Sequence, residues 1–283
     1  MILVIDGNNL ANMCSYVGVK SSKKVRNGEG FDVTTVDIFM KRIYTLYDTL
    51  YPDSIVICWD KKLTKGVKNF RKEDETYKAQ RTNDNTVLYE QCDIIEELVS
   101  HLGIRNIHPN IMEADDIMAW IAHNTTEKVV IATFDKDLLQ LVNHDVEYYN
   151  LRTKEMVTIE NFEKIEGVKR TRFLLYKMIM GDRSDNISGL KGFGKVKSKR
   201  LAESETPFKG LKQDQLKMLQ HNRTLMDLRI GYTVYPDEVG VYQEQFDNIP
   251  AKDFDKFYAY ALSNNIQYIK DYKWKWEDLC LNS

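Results

Sequence analysis

The sequence predicts an α/β fold, a mostly parallel central sheet flanked by helices, and three observations carry that prediction. Runs at 2–5, 54–59 and 128–133, β-branched and apolar apart from the opening Ser54 and Lys128, have the length and polar boundaries of strands buried on both faces. The stretches between them repeat their apolar residues at helical spacing, as the alternating units of a parallel sheet require. Each run also closes on carboxylates: Asp6 after the first, Asp60 after the second, Asp135 and Asp137 after the third. In open α/β sheets that carboxyl edge is where ligands bind.

In chain order, Ile2-Leu3-Val4-Ile5 is the first strand and Asp6-Gly7-Asn8-Asn9 reads as a polar turn. Residues 20–30, basic and glycine-containing, read as a surface loop. Val36, Phe39, Met40, Ile43, Leu46, Tyr47 and Leu50 give an amphipathic helix over 34–50, which Pro52 helps to end. Behind the second strand, 61–81 sets Lys61, Lys62, Lys65, Lys68, Arg71, Lys72, Lys78 and Arg81 against Glu73, Asp74 and Glu75. Its apolar residues are too sparse for a core helix, so it reads as an exposed excursion over the sheet edge. Helix 86–102 is closed by Gly103, strand 104–107 precedes Pro109, and Glu113-Ala114-Asp115-Asp116 opens a further helix. Shorter strands follow at 145–150 and 156–159. Beyond Arg170 the pattern turns helical, leads into Gly181-Asp182-Arg183-Ser184-Asp185-Asn186-Ile187, and then into a glycine-rich turn at 189–194 that feeds a basic helix. The remainder, 211–283, shows helical patches at 216–228 and 254–262 and a Lys-Trp-Lys-Trp tail that reads as plain packing.

The stretch 113–137 gathers Glu113, Asp115, Asp116, Asp135 and Asp137 at the edges of apolar segments. Two unit charges about 4 Å apart repel by roughly 4 kcal/mol at an effective dielectric of 20, so such a group calls for a counter-charge. Plainer readings exist for each part: Asp-Gly and Asn-Asn form turns, acids favour helix N-termini, and a charge run usually coats a solvated face. Dipole compensation accounts for one or two acids, but not for the i, i+2, i+3 cluster of Glu113, Asp115 and Asp116 preceded by apolar residues. The expected counter-charge is a pair of divalent cations. Because the basic 61–81 segment directly follows Asp60, it sets cationic side chains above an acidic pocket, which points to a polyanionic substrate.

The formal charge of −2 hides this segregation, and the bulk composition, 43% hydrophobic and 29% charged, is that of a chain able to bury one large core or a core plus a helical appendage. Cys14, Cys58, Cys92 and Cys280 lack Cys-x-x-Cys spacing, which favours reduced thiols in a cytoplasmic setting over disulfides or zinc. The first apolar run stops at Asp6, too short for a signal peptide, and none approaches membrane-spanning length. The histidines show no metal spacing. A soluble, cytoplasmic monomer is expected.

In their order the motifs are Val4-Ile5-Asp6-Gly7-Asn8-Asn9-Leu10, Trp59-Asp60, Phe70-Arg71 with Tyr77-Lys78-Ala79-Gln80-Arg81, Glu113-Ala114-Asp115-Asp116, Thr133-Phe134-Asp135-Lys136-Asp137 and Met180-Gly181-Asp182-Arg183-Ser184-Asp185-Asn186-Ile187. This ordered set resembles the 5′ nuclease family, the flap endonucleases and 5′-3′ exonucleases, most of all its compact bacteriophage members including phage ribonuclease H. The resemblance implies a PIN-like nuclease core over 1–165 with a helical arch at 61–85, and a helical region over 166–283 with a helix-three-turn-helix at 181–203. Its implied metal-site acids are Asp6, Asp60, Glu113, Asp115, Asp116, Asp135, Asp137, Asp182 and Asp185, for two Mg²⁺ ions that Mn²⁺ could replace. One cation would lie nearer Asp60, Glu113 and Asp115, the other nearer Asp137 and Asp182, with Asp135 between. Lys78 and Arg81 match the basic residues at the base of the arch and Arg71 a further one, all expected to steer the scissile phosphate and stabilise charge.

Nucleic-acid contacts are expected from Tyr77, Lys61, Lys62, Lys65 and Lys68 in the arch and from Gly189, Gly192, Gly194, Lys195, Lys197 and Lys199 beyond it, with K⁺ assisting at the second element. There the chain departs from the family's Gly-x-Gly-x-Lys-x-Ala, with Val196 at the lysine position and Ser198 for alanine. No sliding-clamp motif of the cellular enzymes is present at the C-terminal end. The implied reaction is two-metal phosphodiester hydrolysis near the 5′ end of flapped or single-stranded DNA or an RNA/DNA hybrid, removing primers or flaps in replication or repair, alongside a single-strand-binding or other replication protein. Two alternatives stand beside it: a structure-specific DNA-binding protein without catalysis, and a PIN-type ribonuclease.

Overall fold

The computed structural model describes residues 1–60, 69–80 and 86–282. Strand β1 (Ile2–Asp6) leads straight into helix α1 (Gly7–Lys20), followed by α2 (Thr34–Leu50), β2 (Ser54–Cys58), α3 (Thr86–Ser100), β3 (Arg105–Ile107), α4 (Ala114–Asn124) and β4 (Val129–Thr133). Next come β5 (Val146–Asn150), β6 (Met156–Val157), α5 (Phe162–Glu166), α6 (Phe173–Met180), a hairpin of β7 (Gly181–Asp182) and β8 (Ile187–Ser188), and α7 (Lys195–Ala202). Six further helices end the described chain: α8 (Gln213–Met226), α9 (Leu228–Val234), α10 (Pro236–Asp247), α11 (Phe254–Ser263), α12 (Gln267–Asp271) and α13 (Lys273–Asn282).

The main sheet has the order β3-β2-β1-β4-β5-β6, parallel throughout except for β6. The expected α/β architecture is therefore the one observed. Since successive strand residues face opposite sides, the sheet divides two cores. Val4, Val56 and Ile131 face α4, α6 and α8 to α10, whereas Leu3, Ile5, Ile57 and Ala132 face α1 to α3 and α11 to α13. Residues on both sides of position 165 enter each core.

One element differs from expectation. The polar turn read at 6–9 is instead the start of α1, with Asp6 as its N-cap accepting the Asn9 N–H at 2.9 Å. Gly7 is required there because a Cβ would lie 2.5 Å from the Trp59 ring. In the tail, Lys-Trp-Lys-Trp belongs to helix α13: Trp276 packs against Tyr44, Phe257 and Tyr268, while Trp274 is 64% exposed. No described helix is long and apolar enough to cross a membrane.

Candidate active site

The three central strands end side by side, and asparagines behind them fix the loops. Asp6 is buried and accepts from the Asn9 backbone and from the Thr133 hydroxyl at 3.0 Å. The Asn8 side chain accepts the Asp60 N–H at 2.6 Å, and that of Asn9 accepts the Phe134 N–H at 3.1 Å. Asp60 in turn takes the Ala114 N–H at 2.8 Å, which ties the end of β2 to the start of α4. Asp135 is held by its own N–H on Thr133 and accepts from the Asp137 N–H.

These bonds surround an open pocket of about 440 Å³ lined by Asp6, Asp60, Asp115, Asp135 and Asp182, with Asn8, Asn9, Asn12, Lys78, Phe134, Lys136, Lys177 and Ser184. Its charge is under-compensated. Burial, then repulsion from Asp60 and Asp135, pushes Asp6 up to about 7. Loss of water and the charge of Glu113 raise Asp60, while burial followed by Asp135 and Asp6 raises Asp115 well above the usual carboxylate range. Asp135 and Asp137 are also raised, chiefly by burial.

Two lysines supply the compensation. Lys78, in a left-handed conformation with φ 53°, places its ammonium 2.8 Å from Glu113, to which the Tyr77 hydroxyl also donates at 3.0 Å. Its backbone N–H donates to the Asp185 carbonyl, and its ammonium lies 4.0 Å from the Asp185 carboxylate. Burial opposes the charges of this cluster, but their attraction prevails: Glu113 is held down to about 2 by Lys78 and Arg71, and Lys78 is raised. The other cation, Lys177, did not stand out in the sequence. It is buried, bonds Asp182 and reaches Asp137 at 2.7 Å; burial would push Asp182 up, but Lys177 and Ser184 bring it below the usual range. The available signal was a single lysine in the otherwise apolar Phe-Leu-Leu-Tyr-Lys-Met-Ile-Met run, five positions before Asp182.

The structure corrects three residues. Arg71 and Asp116 are 1% and 0% exposed and form a bidentate pair at 2.6 Å, with Arg71 Nε donating to the Leu225 carbonyl at 2.9 Å. Neither lines the acidic pocket; they join the 3-10 turn Phe70–Glu73 to α4 and α8. Asp115 and Asp116 are adjacent on a helix, about 100° apart, so one faces the sheet edge and its neighbour faces inward. Tyr77, expected at a nucleic-acid surface, is buried against Glu113. Lys61, Lys62, Lys65, Lys68 and Arg81 lie outside the described residues.

In the second basic element, Lys195, Lys197 and Lys199 are exposed on α7, as is Val196 at 81%, while Ser198 is fully buried, so a small residue is required there. Gly192 has φ 85° with open space around it, and Gly194 is likewise open. Gly189 has a different reason: a Cβ would lie 2.2 Å from the Met180 carbonyl, so glycine permits the hairpin to close.

No three described His, Cys, Asp or Glu residues are gathered closely enough to hold an ion unaided. A carboxylate-rich wall whose negative charge the lysines only partly offset suits a hydrated divalent cation such as Mg²⁺ or Mn²⁺, which retains waters rather than demanding a protein cage.

Residues 1–167 match the family model described as 5′-3′ exonuclease, N-terminal resolvase-like domain. The chain belongs to this 5′-3′ exonuclease family. A Bacillus subtilis 5′-3′ exonuclease is 32% identical over 213 residues, covering 72% of this chain and 71% of that protein. The exonuclease fold is shared with the bacteriophage T5 D15 flap endonuclease, solved as a pseudo-enzyme-product complex with DNA and metal ions, at TM-score 0.64 and 20% identity over 87% of this chain and 98% of the other. It is shared too with the catalytic core of Rad2 solved with DNA substrate, at TM-score 0.57 and 16% identity over 98% and 92% of the two chains. The family is one of nucleases, enzymes that cleave phosphodiester bonds.

Proposed function

We propose that this chain is a divalent-cation-dependent 5′ nuclease, acting as 5′-3′ exonuclease, flap endonuclease or both, on DNA or RNA/DNA hybrids, and removing RNA primers or flaps. The observation that carries the reading is the convergence of Asp6, Asp60, Asp115, Asp135 and Asp182 on one pocket beside the Lys78 ammonium. Two cations such as Mg²⁺, held through Asp60, Glu113 and Asp115 on one side and Asp137 and Asp182 on the other with Asp135 between, would polarise the scissile phosphate and lower the pKa of the attacking water.

The chain's own groups supply the rest. Lys78 is kept protonated by its acidic neighbours and offers a fixed positive charge to a phosphate oxygen that gains charge as the bond breaks. Lys177 balances Asp137 and Asp182 from within α6. The Gln80 side chain donates to the Ser184 carbonyl at 2.8 Å and that of Asn186 to the Thr76 carbonyl at 2.9 Å, so the base of the 69–80 segment moves with the loop bearing Asp182 and Asp185. The exposed lysines of α7 provide a surface for duplex phosphates, with K⁺ assisting there.

The test incubates the protein with a labelled 5′-flap duplex, a 5′-RNA/DNA hybrid and a plain RNA strand, in Mg²⁺ or in EDTA. Mg²⁺-dependent release of 5′ fragments from the first two is expected; binding without cleavage would leave a DNA-binding protein, and cleavage of the plain strand alone a PIN-type ribonuclease. Lys78→Ala should slow cleavage far more than it weakens binding, and equal losses would remove its transition-state role.

A further inference from the structure

A second pocket lies at the far ends of the elements that build the acidic one. It is a cavity of about 290 Å³ lined chiefly by His123, Gln140, Arg170, Thr171, Leu174 and Arg229. Helix α4 carries Asp115 in its first turn and His123 in its last; the 3-10 turn Lys136–Leu141 runs from Asp137 to Gln140; α6 follows Arg170 and ends before Asp182. At 1.5 Å per helical residue, the rise from Asp115 to His123 separates the two sites by about 12 Å.

Arg170 is the anomaly in this cavity. Its Nε donates to the Val142 carbonyl, and among the described residues no carboxylate pairs with its guanidinium. Burial and the neighbouring charge of Arg229 both disfavour its protonated form, so a half-buried cation is held against a second cation. Arg229 is bonded to Asp227 at 2.9 and 2.8 Å, and Asp227 also accepts from Arg223 at 3.3 Å. One carboxylate therefore answers two guanidiniums, and it leaves that of Arg170 unanswered. The Gln140 amide is already spent, donating to the Asp137 and Met226 carbonyls and accepting the Leu228 N–H, so it shapes the wall and offers no neutralising charge. Thr171 is exposed at the mouth, and Leu174 gives an apolar side.

We propose that this pocket binds a phosphate group, as inorganic phosphate or as the 5′-phosphate of a mononucleotide, with Arg170 its principal ligand, Arg229 a second and Thr171 a hydroxyl donor. A guanidinium fork matches two phosphate oxygens at once, and the unanswered positive charge selects an anion. The cavity exceeds what a lone phosphate fills, which leaves room beside Leu174 for part of a nucleoside. The mononucleotide form rests on the nuclease reading above, since a 5′-phosphorylated nucleotide is that reaction's product; the inorganic form does not.

Isothermal titration calorimetry in EDTA, which keeps the acidic pocket free of cations, tests the site with inorganic phosphate and separately with deoxyadenosine 5′-monophosphate. Saturable one-to-one binding is expected, weakened at least about tenfold by Arg170→Gln. Thr171→Glu, a change at an exposed position, should weaken it similarly, so a folding defect in the arginine variant leaves the test intact. Lys78→Ala should not alter it. Absence of saturable binding up to about 10 mM of either probe, a range that reaches even weak sites, overturns the proposal. Equal affinity in wild type and both pocket variants, or loss of binding in Lys78→Ala, overturns it as well. Phosphate binding without Mg²⁺-dependent cleavage would keep this site and remove the nuclease reading, and cleavage without phosphate binding would do the reverse.

Discussion

At the scale of single residues, the distinction between acids that serve the pocket and acids that serve the core can be measured. Arg71 and Asp116 answer each other inside the protein, so Arg71→Met should cost about 3–5 kcal/mol by stranding a buried carboxylate, while Arg71→Met with Asp116→Leu should recover much of that loss. Urea unfolding reads both, and a double variant as unstable as the single one would contradict the pairing. Asp115 is the opposite case. It lies among Asp135, Asp6 and Asp60, which all disfavour its charge, so Asp115→Asn should raise the stability of the protein in EDTA by about 1 kcal/mol while abolishing cleavage. A fall in the EDTA melting temperature would argue against charge crowding. Sequence showed both aspartates as members of one acidic motif, because type and spacing do not record which way a helix is rotated against the sheet.

At the scale of elements, strands β1, β2 and β4 and helices α2, α3 and α4 were legible because each is a long, strongly periodic or wholly apolar run. Helix α1 was not, since Gly7, Asn8 and Asn9 are poor helix formers, and what commits them is the Asp6 cap and the fit of Gly7 under Trp59. Lys177 escaped for a related reason: its role comes from the β7–β8 hairpin folding Asp182 back over α6, a tertiary event with no local signature. That hairpin depends on Asn222 of α8, which is buried and donates to the Met178 carbonyl at 2.8 Å and the Ser188 carbonyl at 2.9 Å. Asn222→Ala would leave both carbonyls unpaired at a cost of about 1–3 kcal/mol. Hydrogen exchange should show protection lost first in 178–190 and cleavage reduced, although no pocket residue has changed; a uniform loss of protection across the chain would deny the hairpin this local dependence.

At the scale of the whole molecule, the family match ends at residue 167, yet neither core does. Ile179, Leu219, Leu225 and Tyr242 are buried in the core that contains Val4 and Ile131, and Phe257, Ile266, Ile269, Trp276 and Leu279 in the core that contains Leu3 and Ile57. Cutting the chain after 167 would uncover both faces of the sheet at once, and burial of one such apolar side chain contributes about 1.5–3 kcal/mol. Against a net stability of about 5–15 kcal/mol for a typical domain, the loss of nine cannot be absorbed. A 1–167 fragment should therefore aggregate or unfold without a cooperative transition, and adding Mg²⁺ should not rescue it, because Lys177, Asp182 and Asp185 leave with the removed part. Co-expression with 168–283 should restore a soluble complex in which Asp182 returns to the pocket. A fragment that melts cooperatively by itself would show that the sheet and its first helices form an independent unit, with the later helices added to a core already closed.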